Sequence, residues 1–302
     1  MNSRKRKVKA IILCGGEATR QRPVTLGVPK SLLCIYDKPL CYFPISVAML
    51  AGIKDILIIC TSYAKPMFEH LLGDGSKVGV NISFAIQDKA NGIAEAFIIG
   101  KDFIGDDDVC LILGDNIFYG AGLTKQLKDT VKHLLTNEDS SSFIFTYHVK
   151  EEEAKRFGIV EFDDEGKCIS IEEKPQVPKS QEASVGLYFY TNDVIDKALK
   201  LTPSKRGELE ITDINKSYLN ENRLVAIPFN RGTCWCDSGE FDSLLDACNF
   251  VATIERMQGL QIACLEEIAY KNKWITKEQL LEIGNSMKNN SYGKYILNLI
   301  RE

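Results

Sequence analysis

The sequence lacks the features that mark several common classes of protein. Histidine occurs only three times in 302 residues, and the ten cysteines form no C-x-x-C pair. Because structural zinc sites need closely spaced Cys and His ligands, a zinc module is disfavoured. No stretch approaches about 18 uncharged apolar residues, so no membrane-spanning segment is expected. The cysteines are interpreted as reduced thiols that pack as small apolar residues.

Two widespread phosphate-binding motifs are also absent. The chain contains neither G-x-G-x-x-G, typical of dinucleotide-binding folds, nor G-x-x-x-x-G-K-[ST], typical of P-loop proteins. A nicotinamide-dependent dehydrogenase is therefore disfavoured, since the first motif carries the pyrophosphate in that class.

A large excess of positive charge is missing as well. The net charge is −4, which argues against a general binder of nucleic acid or of membrane surfaces. The basic run RKRKVK at residues 4–9 is interpreted as a solvated tail that leads into the first strand. No apolar segment with a cleavage site precedes it, so a secretory signal is not expected and a cytoplasmic location is predicted.

Short apolar runs alternate with helical patterns over the first 115 residues. The runs VKAIILC, DILIIC, NISFAIQ and VCLILGDN predict parallel strands covered on both faces. From residue 141, SSFIFTYHV, SVGLYFYTNDV and a hairpin around DDEG indicate an inserted β region. Helical patterns follow at about residues 239–256, 263–271, 277–284 and 290–301. We predict a three-layer, Rossmann-like α/β fold with a mixed, mainly parallel sheet.

The chain is expected to divide near residue 238. Residues 1–238 are predicted to form the α/β core with its inserted β region, and residues 239–302 a helical C-terminal extension. No repeat, low-complexity tract or long Pro/Ser linker separates these parts.

The stretch CGGEATRQRP at residues 14–23 follows the first predicted strand. Gly15 and Gly16 would let backbone N–H groups approach a phosphate, and Arg20 could hold its oxygens bidentately. Lys30 supplies a second, mobile positive charge. Taken alone, this stretch favours a tight strand-to-helix turn with a solvated arginine over a phosphate site.

Acidic residues end other predicted strands. Asp115 in LILGDN and Asp237 in CWCDSGE could ligate Mg²⁺, although each could instead cap a turn or helix. Glu173 and Lys174 in SIEEKP could hold a hydroxylated, phosphorylated partner, or lie at a solvated strand end. Because phosphoryl transfer depends mostly on positioning and charge neutralisation, the set together predicts a nucleotidyl-transfer site.

The ordered motifs resemble those of the bacterial glucose-1-phosphate thymidylyltransferases, or dTDP-glucose pyrophosphorylases. The matching segments are GGEATRQRPVTLGVPKSLLCIYDKP, LAGIKDILII, LLGDGS, GIAEAFIIG, LGDNIFYG, FGIVEFD, EEKP, GLYFY, RGELEITDIN, RGTCWCDSG, NFVATIERMQGLQIACLEEIA and YGKYIL. They extend over nearly the whole chain.

The resemblance implies a reaction. The enzyme would join dTTP and α-D-glucose 1-phosphate with the help of Mg²⁺, giving dTDP-glucose and pyrophosphate, by direct in-line attack. This would be the first step toward dTDP-rhamnose and other deoxysugars. The resemblance also implies a sugar-binding role for the inserted β region and a homotetramer built partly through the C-terminal helices. A second nucleotide site for feedback would lie at a subunit interface.

The resemblance also assigns roles to individual residues. Catalytic roles fall to Arg20, Lys30, Asp115 and Lys174, and metal binding to Asp115 and Asp237. Nucleotide binding falls to Leu13, Gly15, Gly16, Thr19, Gln87 and Gly92, with Gln87 and Gly92 at the base. Binding of the sugar phosphate falls to Gly158, Glu173, Lys174, Ser184 and Thr212.

The opening loop departs from the family pattern G-G-x-G-T-R-L-x-P-x-T. Ala18 stands in place of the third glycine, Gln21 in place of leucine, and Cys34 in place of a proline further on. If position 18 needs a positive φ, alanine there costs about 1 kcal/mol.

Two other functions remain open. The same chemistry could use UTP or another sugar 1-phosphate, because thymine and uracil differ by one methyl group, which is worth about 1–3 kcal/mol. A regulatory homologue that binds nucleotide without turnover is the non-enzymatic alternative, supported by the altered loop.

Overall fold

The computed structural model describes residues 6–136 and 139–300. The prediction for the basic run at residues 4–9 therefore lies in part outside the described residues, and so does the end of the last predicted helix at residue 301.

The described strands are β1 (Val8–Leu13), β2 (Cys34–Ile35), β3 (Lys38–Pro39), β4 (Asp55–Cys60), β5 (Asn81–Ile86), β6 (Asp108–Leu113), β7 (Asn116–Tyr119), β8 (Ser142–His148), β9 (Gly158–Phe162), β10 (Cys168–Glu173), β11 (Glu182–Tyr190), β12 (Leu224–Pro228) and β13 (Cys234–Asp237). The described α-helices are α1 (Tyr42–Leu50), α2 (Lys65–Leu72), α3 (Glu95–Ile99), α4 (Lys101–Ile104), α5 (Leu123–Thr136), α6 (Glu151–Ala154), α7 (Val194–Leu199), α8 (Ile211–Asn220), α9 (Phe241–Gln258), α10 (Leu265–Lys271), α11 (Lys277–Ser286) and α12 (Ser291–Asn298). None of these helices combines the length and the apolar character needed to cross a membrane.

One mixed sheet forms the centre of the fold. Its strand order is β10-β9-β11-β6-β1-β4-β5, with β8 beside β11 and β12 beside β8. Strands β5, β4, β1 and β6 are parallel to one another, whereas β11 runs antiparallel to β6. Strands β9 and β10 pair antiparallel across the DDEG turn. The predicted α/β class, mixed sheet and hairpin are confirmed.

Side chains of β1 alternate between two cores, one on each face of the sheet. Ala10 and Ile12 pack in the first core, whereas Ile11 packs in the second. The first core also contains Val47 of α1, Leu127 of α5 and Leu265 of α10. The second contains Phe97 of α3, Ile195 of α7 and Ile214 of α8. Because both faces are covered, the strands read as continuous apolar runs, and the fold has three layers.

The C-terminal helices share the first core. Leu280 of α11 and Ile296 of α12 are fully buried in it. A buried ion pair between Lys38 Nζ and Glu255 Oε1, 2.8 Å apart, joins α9 to the N-terminal part of the chain. The helices after residue 238 therefore pack against the α/β core, and the division of the chain near residue 238 stays a prediction.

The topology brings distant segments to one edge of the sheet. Leu13 of β1 lies in register with Leu113 of β6, so the loops that follow these strands are neighbours. Strand β13 pairs antiparallel with β7, and Asp237 is in register with Asn116. The sheet order continues in opposite directions from β1, toward β4 and toward β6, and such positions form ligand-binding crevices in α/β proteins.

Candidate active site

The loop after β1 has an unusual backbone. Gly16 has φ +102°, and Ala18 has φ 45° and ψ 47°, which is the left-handed region. A short 3₁₀ turn, Thr19–Gln21, follows. An L-residue in this region is strained relative to glycine by roughly 1–2 kcal/mol. The positive φ anticipated for position 18 is therefore present, and alanine occupies it.

Two carboxylates flank the edge of the sheet beside this loop. Asp115 follows β6 and accepts a 2.6 Å hydrogen bond from Lys30 Nζ and a 2.7 Å bond from Asn116 Nδ2. Asp237 ends β13, and its ion pair with Arg156 Nη2 is long, at 3.9 Å. The two side chains are 29% and 22% exposed, so both are accessible to a ligand.

The two carboxylates differ in their pKa. Burial alone would raise the pKa of Asp115, but the neighbouring Lys30 ammonium and the Asn116 amide lower it below its usual value. Burial and the negative charge of Asp115 raise the pKa of Asp237, which Lys30, Arg156 and Arg20 oppose only in part. A divalent cation between the two would stabilise both charges.

This donor set fits Mg²⁺ rather than a soft metal. Carboxylate oxygens are the ligands that magnesium prefers, and it usually completes its shell with water and substrate phosphates. Among the described residues, no group of three or more His, Cys, Asp and Glu side chains is arranged to hold a metal. A metal held by Asp115 and Asp237 would therefore depend on the substrate for its remaining ligands.

A second cluster surrounds Gly158 at the start of β9. A Cβ at this position would lie 3.2 Å from Thr212 Oγ1, 3.4 Å from Glu173 Oε2 and 3.9 Å from Ser184 Cβ. Thr212 donates a 2.5 Å hydrogen bond to Glu173. The absence of a side chain at Gly158 leaves space in front of a hydroxyl and a carboxylate, which are suitable partners for sugar hydroxyls.

Lys174 follows this cluster in a strained conformation. Its φ is 45°, and its Nζ lies 3.9 Å from Glu173 Oε1. Left-handed non-glycine residues persist only where their surroundings hold them, and they are concentrated at functional sites. The Lys174 side chain is 44% exposed and lines the cavity, so its ammonium can contact an anion there.

A third group lies next to the glycine loop. Gln87 is buried, and its Nε2 donates to Glu95 Oε2 at 2.7 Å and to the Gly92 carbonyl at 3.4 Å. A Cβ on Gly15 would lie 2.8 Å from Gln87 Oε1, and one on Gly92 would lie 2.4 Å from the Leu209 carbonyl. Close approach of backbone and a positive φ therefore require glycine at position 92, whereas a side chain at position 15 would displace the Gln87 amide.

One cavity of about 460 Å³ brings together Arg20, the two carboxylates and the residues expected at the sugar phosphate, but none of the residues expected to bind the nucleotide. Its lining includes Arg20, Asp115, Gly158, Glu173, Lys174, Ser184, Thr212 and Asp237. Lys30 reaches it through Asp115, and Leu13 ends β1 beside it. Gly16 and Thr19 are exposed on the loop and are not part of the lining.

Sequence reasoning missed several residues of this cavity. Arg156 lines it, and its Nη2 lies 3.3 Å from Glu240 Oε1. Trp235 also lines it and donates a 2.6 Å hydrogen bond from Nε1 to Asn116 Oδ1. Arg206 lies outside the lining, but it donates hydrogen bonds to Glu210 and to Glu173 of the sugar-phosphate cluster. Arg156 directly precedes the recognised segment FGIVEFD, and Arg206 is the first residue of RGELEITDIN, so these motifs were the available signal.

Comparisons with known proteins identify the family. A sequence profile of the nucleotidyl transferase family matches residues 9–254. A glucose-1-phosphate thymidylyltransferase of Neisseria meningitidis serogroup A is 49% identical over 295 residues, which cover 98% of this chain and 100% of that protein. A protein of the same name from Mycobacterium tuberculosis is 49% identical over 293 residues, covering 97% and 99%. The chain belongs to the glucose-1-phosphate thymidylyltransferase family.

Solved structures agree with this assignment. A Bacillus anthracis protein described as a glucose-1-phosphate thymidylyltransferase, in complex with sucrose, superposes with a TM-score of 0.73 at 36% identity, covering 80% of this chain and 94% of that one. A UDP-glucose pyrophosphorylase complexed with UDP-glucose has a TM-score of 0.72 at 23% identity and covers 82% and 99%, which supports the fold alone. The family, fold and nucleotidyltransferase class expected from the motifs are confirmed.

Proposed function

We propose that this protein transfers the thymidylyl group of dTTP to α-D-glucose 1-phosphate, giving dTDP-glucose and pyrophosphate. The proposal rests on one observation. A single cavity is lined by Arg20 of the first loop, by two carboxylates at the sheet edge, one of them paired with Lys30, and by a hydroxyl–carboxylate cluster with its own lysine. A triphosphate, a metal and a sugar phosphate need these three groups, side by side.

In the proposed step, an oxygen of the sugar phosphate attacks the α-phosphorus of dTTP. A new P–O bond forms, the bond from the α-phosphorus to the bridging oxygen breaks, and pyrophosphate leaves with that electron pair. Arg20 and Lys30 would stabilise the negative charge of the triphosphate and of the leaving pyrophosphate. No protein nucleophile is required.

Mg²⁺ is the proposed cofactor. Asp115 and Asp237 would hold it, and when bound it would neutralise phosphate charge. The low pKa of Asp115 keeps that carboxylate anionic at neutral pH, which suits metal binding.

The sugar phosphate would bind inside the cavity, and the nucleotide beside it. The cavity residues Gly158, Glu173, Lys174, Ser184 and Thr212 would receive the sugar phosphate, and Leu13, Gly15, Gly16, Thr19, Gln87 and Gly92, which lie outside the lining, would receive the nucleotide. The close approach of Gly15 to Gln87 supports the first group, and the cluster around Gly158 supports the second. Lys174 would pair with the phosphate of the sugar.

Pyrophosphate release tests the proposed function. The purified protein should release pyrophosphate only when dTTP, glucose 1-phosphate and MgCl₂ are all present. With UTP in place of dTTP, kcat/KM should fall by about 5- to 150-fold, equivalent to one methyl contact. A higher kcat/KM with UTP would identify the enzyme as a UTP-dependent one. Tight dTTP binding without any release would identify a regulatory homologue.

We further propose a cytoplasmic homotetramer that supplies dTDP-glucose for dTDP-rhamnose and related deoxysugars and binds neither nucleic acid nor membranes. Support for assembly comes from α9, where Phe241, Leu245 and Met257 are 44%, 60% and 80% exposed, because exposed apolar side chains on one helix favour association. Light scattering of the purified protein measures the oligomeric state.

A further inference from the structure

Gln21 is a fully buried polar side chain in an otherwise exposed loop. Its exposed fraction is 0%, whereas its neighbours Arg20 and Arg22 are exposed. Glutamine is rarely buried completely unless its amide is hydrogen-bonded. The contacts of this amide therefore indicate why it is buried here.

The amide of Gln21 binds the chain segment that follows Asp237. Nε2 donates hydrogen bonds to the carbonyls of Ser238 at 3.0 Å and of Glu240 at 3.3 Å. Since both partners are carbonyl oxygens, the nitrogen must face them. Oε1 is buried with no hydrogen-bond partner among the described residues, which is unfavourable. An apolar side chain would avoid this penalty, so the two donated bonds are the benefit that glutamine brings.

Ser238 is itself bonded to the other carboxylate segment. Its N and Oγ donate to the carbonyl of Asp115 at 3.1 and 2.7 Å. Gln21, Ser238 and Asp115 therefore form a continuous chain of hydrogen bonds. It joins the phosphate loop, residues 14–23, to the backbone of Asp115 and to the residues that follow Asp237.

The same loop contains the strained backbone of Ala18. The Ala18 carbonyl accepts hydrogen bonds from Gln21 N at 3.0 Å and from Thr25 Oγ1 at 2.9 Å. A left-handed alanine persists only where surrounding contacts over-determine its conformation. Gln21 stabilises this turn with two sets of hydrogen bonds. Its backbone N–H bonds to the Ala18 carbonyl, and its side-chain amide bonds to the segment that follows Asp237.

We propose that Gln21 is a positioning residue that compensates for the left-handed backbone at Ala18 by tying the phosphate loop to the segment carrying Asp237. Without its side-chain bonds the strained loop relaxes, and Arg20 moves away from Asp237. The catalytic part of this inference rests on the proposed function, whereas the coupling between Gln21 and Ala18 is a property of the fold alone.

A double-mutant cycle tests the compensation. Gln21→Leu keeps a similar size and removes both donors. With Ala18 present, we expect kcat/KM for dTTP to fall at least about tenfold, as expected for a displaced catalytic group, with little change in KM for glucose 1-phosphate. In the Ala18→Gly background the same substitution should cost less than about threefold, because there is little strain to oppose. Additive effects, within about twofold, would overturn the proposal.

A matched control separates positioning from general loss of stability. Gln126 also donates from Nε2 to a backbone carbonyl, that of Pro228 at 3.3 Å, and its Oε1 is also buried without a partner among the described residues. Gln126→Leu lies outside the cavity and should leave kcat and both KM values unchanged. If it reduces activity as much as Gln21→Leu does, the positioning role is wrong.

Hydrogen exchange gives a readout that needs no substrate. In Gln21→Leu, amide exchange should rise together in residues 15–22 and 238–240, and Ala18→Gly should restore much of the protection in residues 15–22. If exchange is unchanged in both segments, the link does not hold the loop and the proposal fails, whatever the enzyme's substrates. Failure of Gln21→Leu to fold in both backgrounds would also contradict it, because the need for Gln21 would then not depend on Ala18.

Discussion

Lys30 Nζ lies 2.6 Å from Asp115 Oδ2, and the two side chains are only 13% and 29% exposed. The pair joins a residue proposed to bind the triphosphate to one proposed to hold the metal. It outweighs burial and lowers the pKa of Asp115, whereas Asp237, lacking a close cation, has a raised pKa. Asp115 therefore loses its proton at lower pH than Asp237 does.

Removing the negative charge of Asp115 or of Asp237 should abolish most turnover. Asp115→Asn and Asp237→Asn keep the shape of the side chain, so folding should survive. We expect each to lower kcat/KM at least about a hundredfold, or about 2.7 kcal/mol of transition-state stabilisation. Pyrophosphate release across a magnesium titration measures the loss, and high Mg²⁺ should recover part of it if metal binding has weakened.

Asp129→Asn is the matched control for these variants. Asp129 pairs with Lys125 on the surface of α5, away from the cavity, so its loss should not affect turnover. If Asp115→Asn or Asp237→Asn melts like the wild type and keeps near-normal turnover at low Mg²⁺, that residue is not a metal ligand.

Lys174→Ala should affect one substrate more than the other. A charge-assisted contact is worth about 1.5–3 kcal/mol, so KM for glucose 1-phosphate should rise by roughly 10- to 150-fold while KM for dTTP changes little. Lys179→Ala is the control, because Lys179 pairs with Glu172 on the exposed side of the hairpin. Equal increases in both KM values would assign Lys174 to a different role.

Ala18→Gly should stabilise the protein. Glycine adopts φ 45° without the Cβ strain of alanine, so we expect a gain of about 1 kcal/mol in the free energy of unfolding. Ala252→Gly, within helix α9, should instead destabilise by about 1 kcal/mol. Urea denaturation compares the two, and a loss of stability in Ala18→Gly would show that the loop contacts favour alanine.

The strand ends of the site were predictable because each follows an apolar run. Asp115 follows the parallel strand β6, and parallel strands place their carboxyl ends at one edge of the sheet. Asp237 and Glu173 end strands that pair antiparallel, so for these residues and for Lys174 only the strand end and the family motif pointed to the site. Periodicity alone could not place Asp237 beside Asp115, because that contact depends on the β7–β13 pairing between distant segments.

The residues that were missed owe their position to tertiary contacts. Arg156 follows the acidic segment EEEAK, which is typical of a solvated helix, and only the fold brings it toward Asp237 and Glu240. Gln21 lies in a polar loop, where nothing in the local pattern indicates burial. The left-handed conformation of Ala18 was suggested by the glycine of the family pattern and not by alanine itself.

Asp108 should make stability depend on pH in a defined direction. Its side chain is fully buried, and burial raises its pKa from 3.8 to about 6 despite the nearby Arg6. The folded state therefore binds this proton more tightly than the unfolded state does. As pH rises from about 4 to 6, the unfolded state loses the proton first, so its free energy falls relative to that of the folded state. The carboxylate thus stabilises folding least above pH 6.

In the wild type, Asp108 Oδ1 accepts a 3.0 Å hydrogen bond from Asn192 N. Asp108→Asn removes the titrating carboxyl group and keeps an oxygen that can accept this bond. We expect the variant to match the wild type in stability near pH 4 and to exceed it above pH 6 by up to about 3 kcal/mol, at about 1.4 kcal/mol per pKa unit. Urea unfolding of both proteins at several pH values measures the difference, in which other titrating groups cancel. A difference that does not change with pH would mean that Asp108 has an ordinary pKa. A larger gain at low pH would reverse the sign, and the ion pair with Arg6 would then outweigh burial.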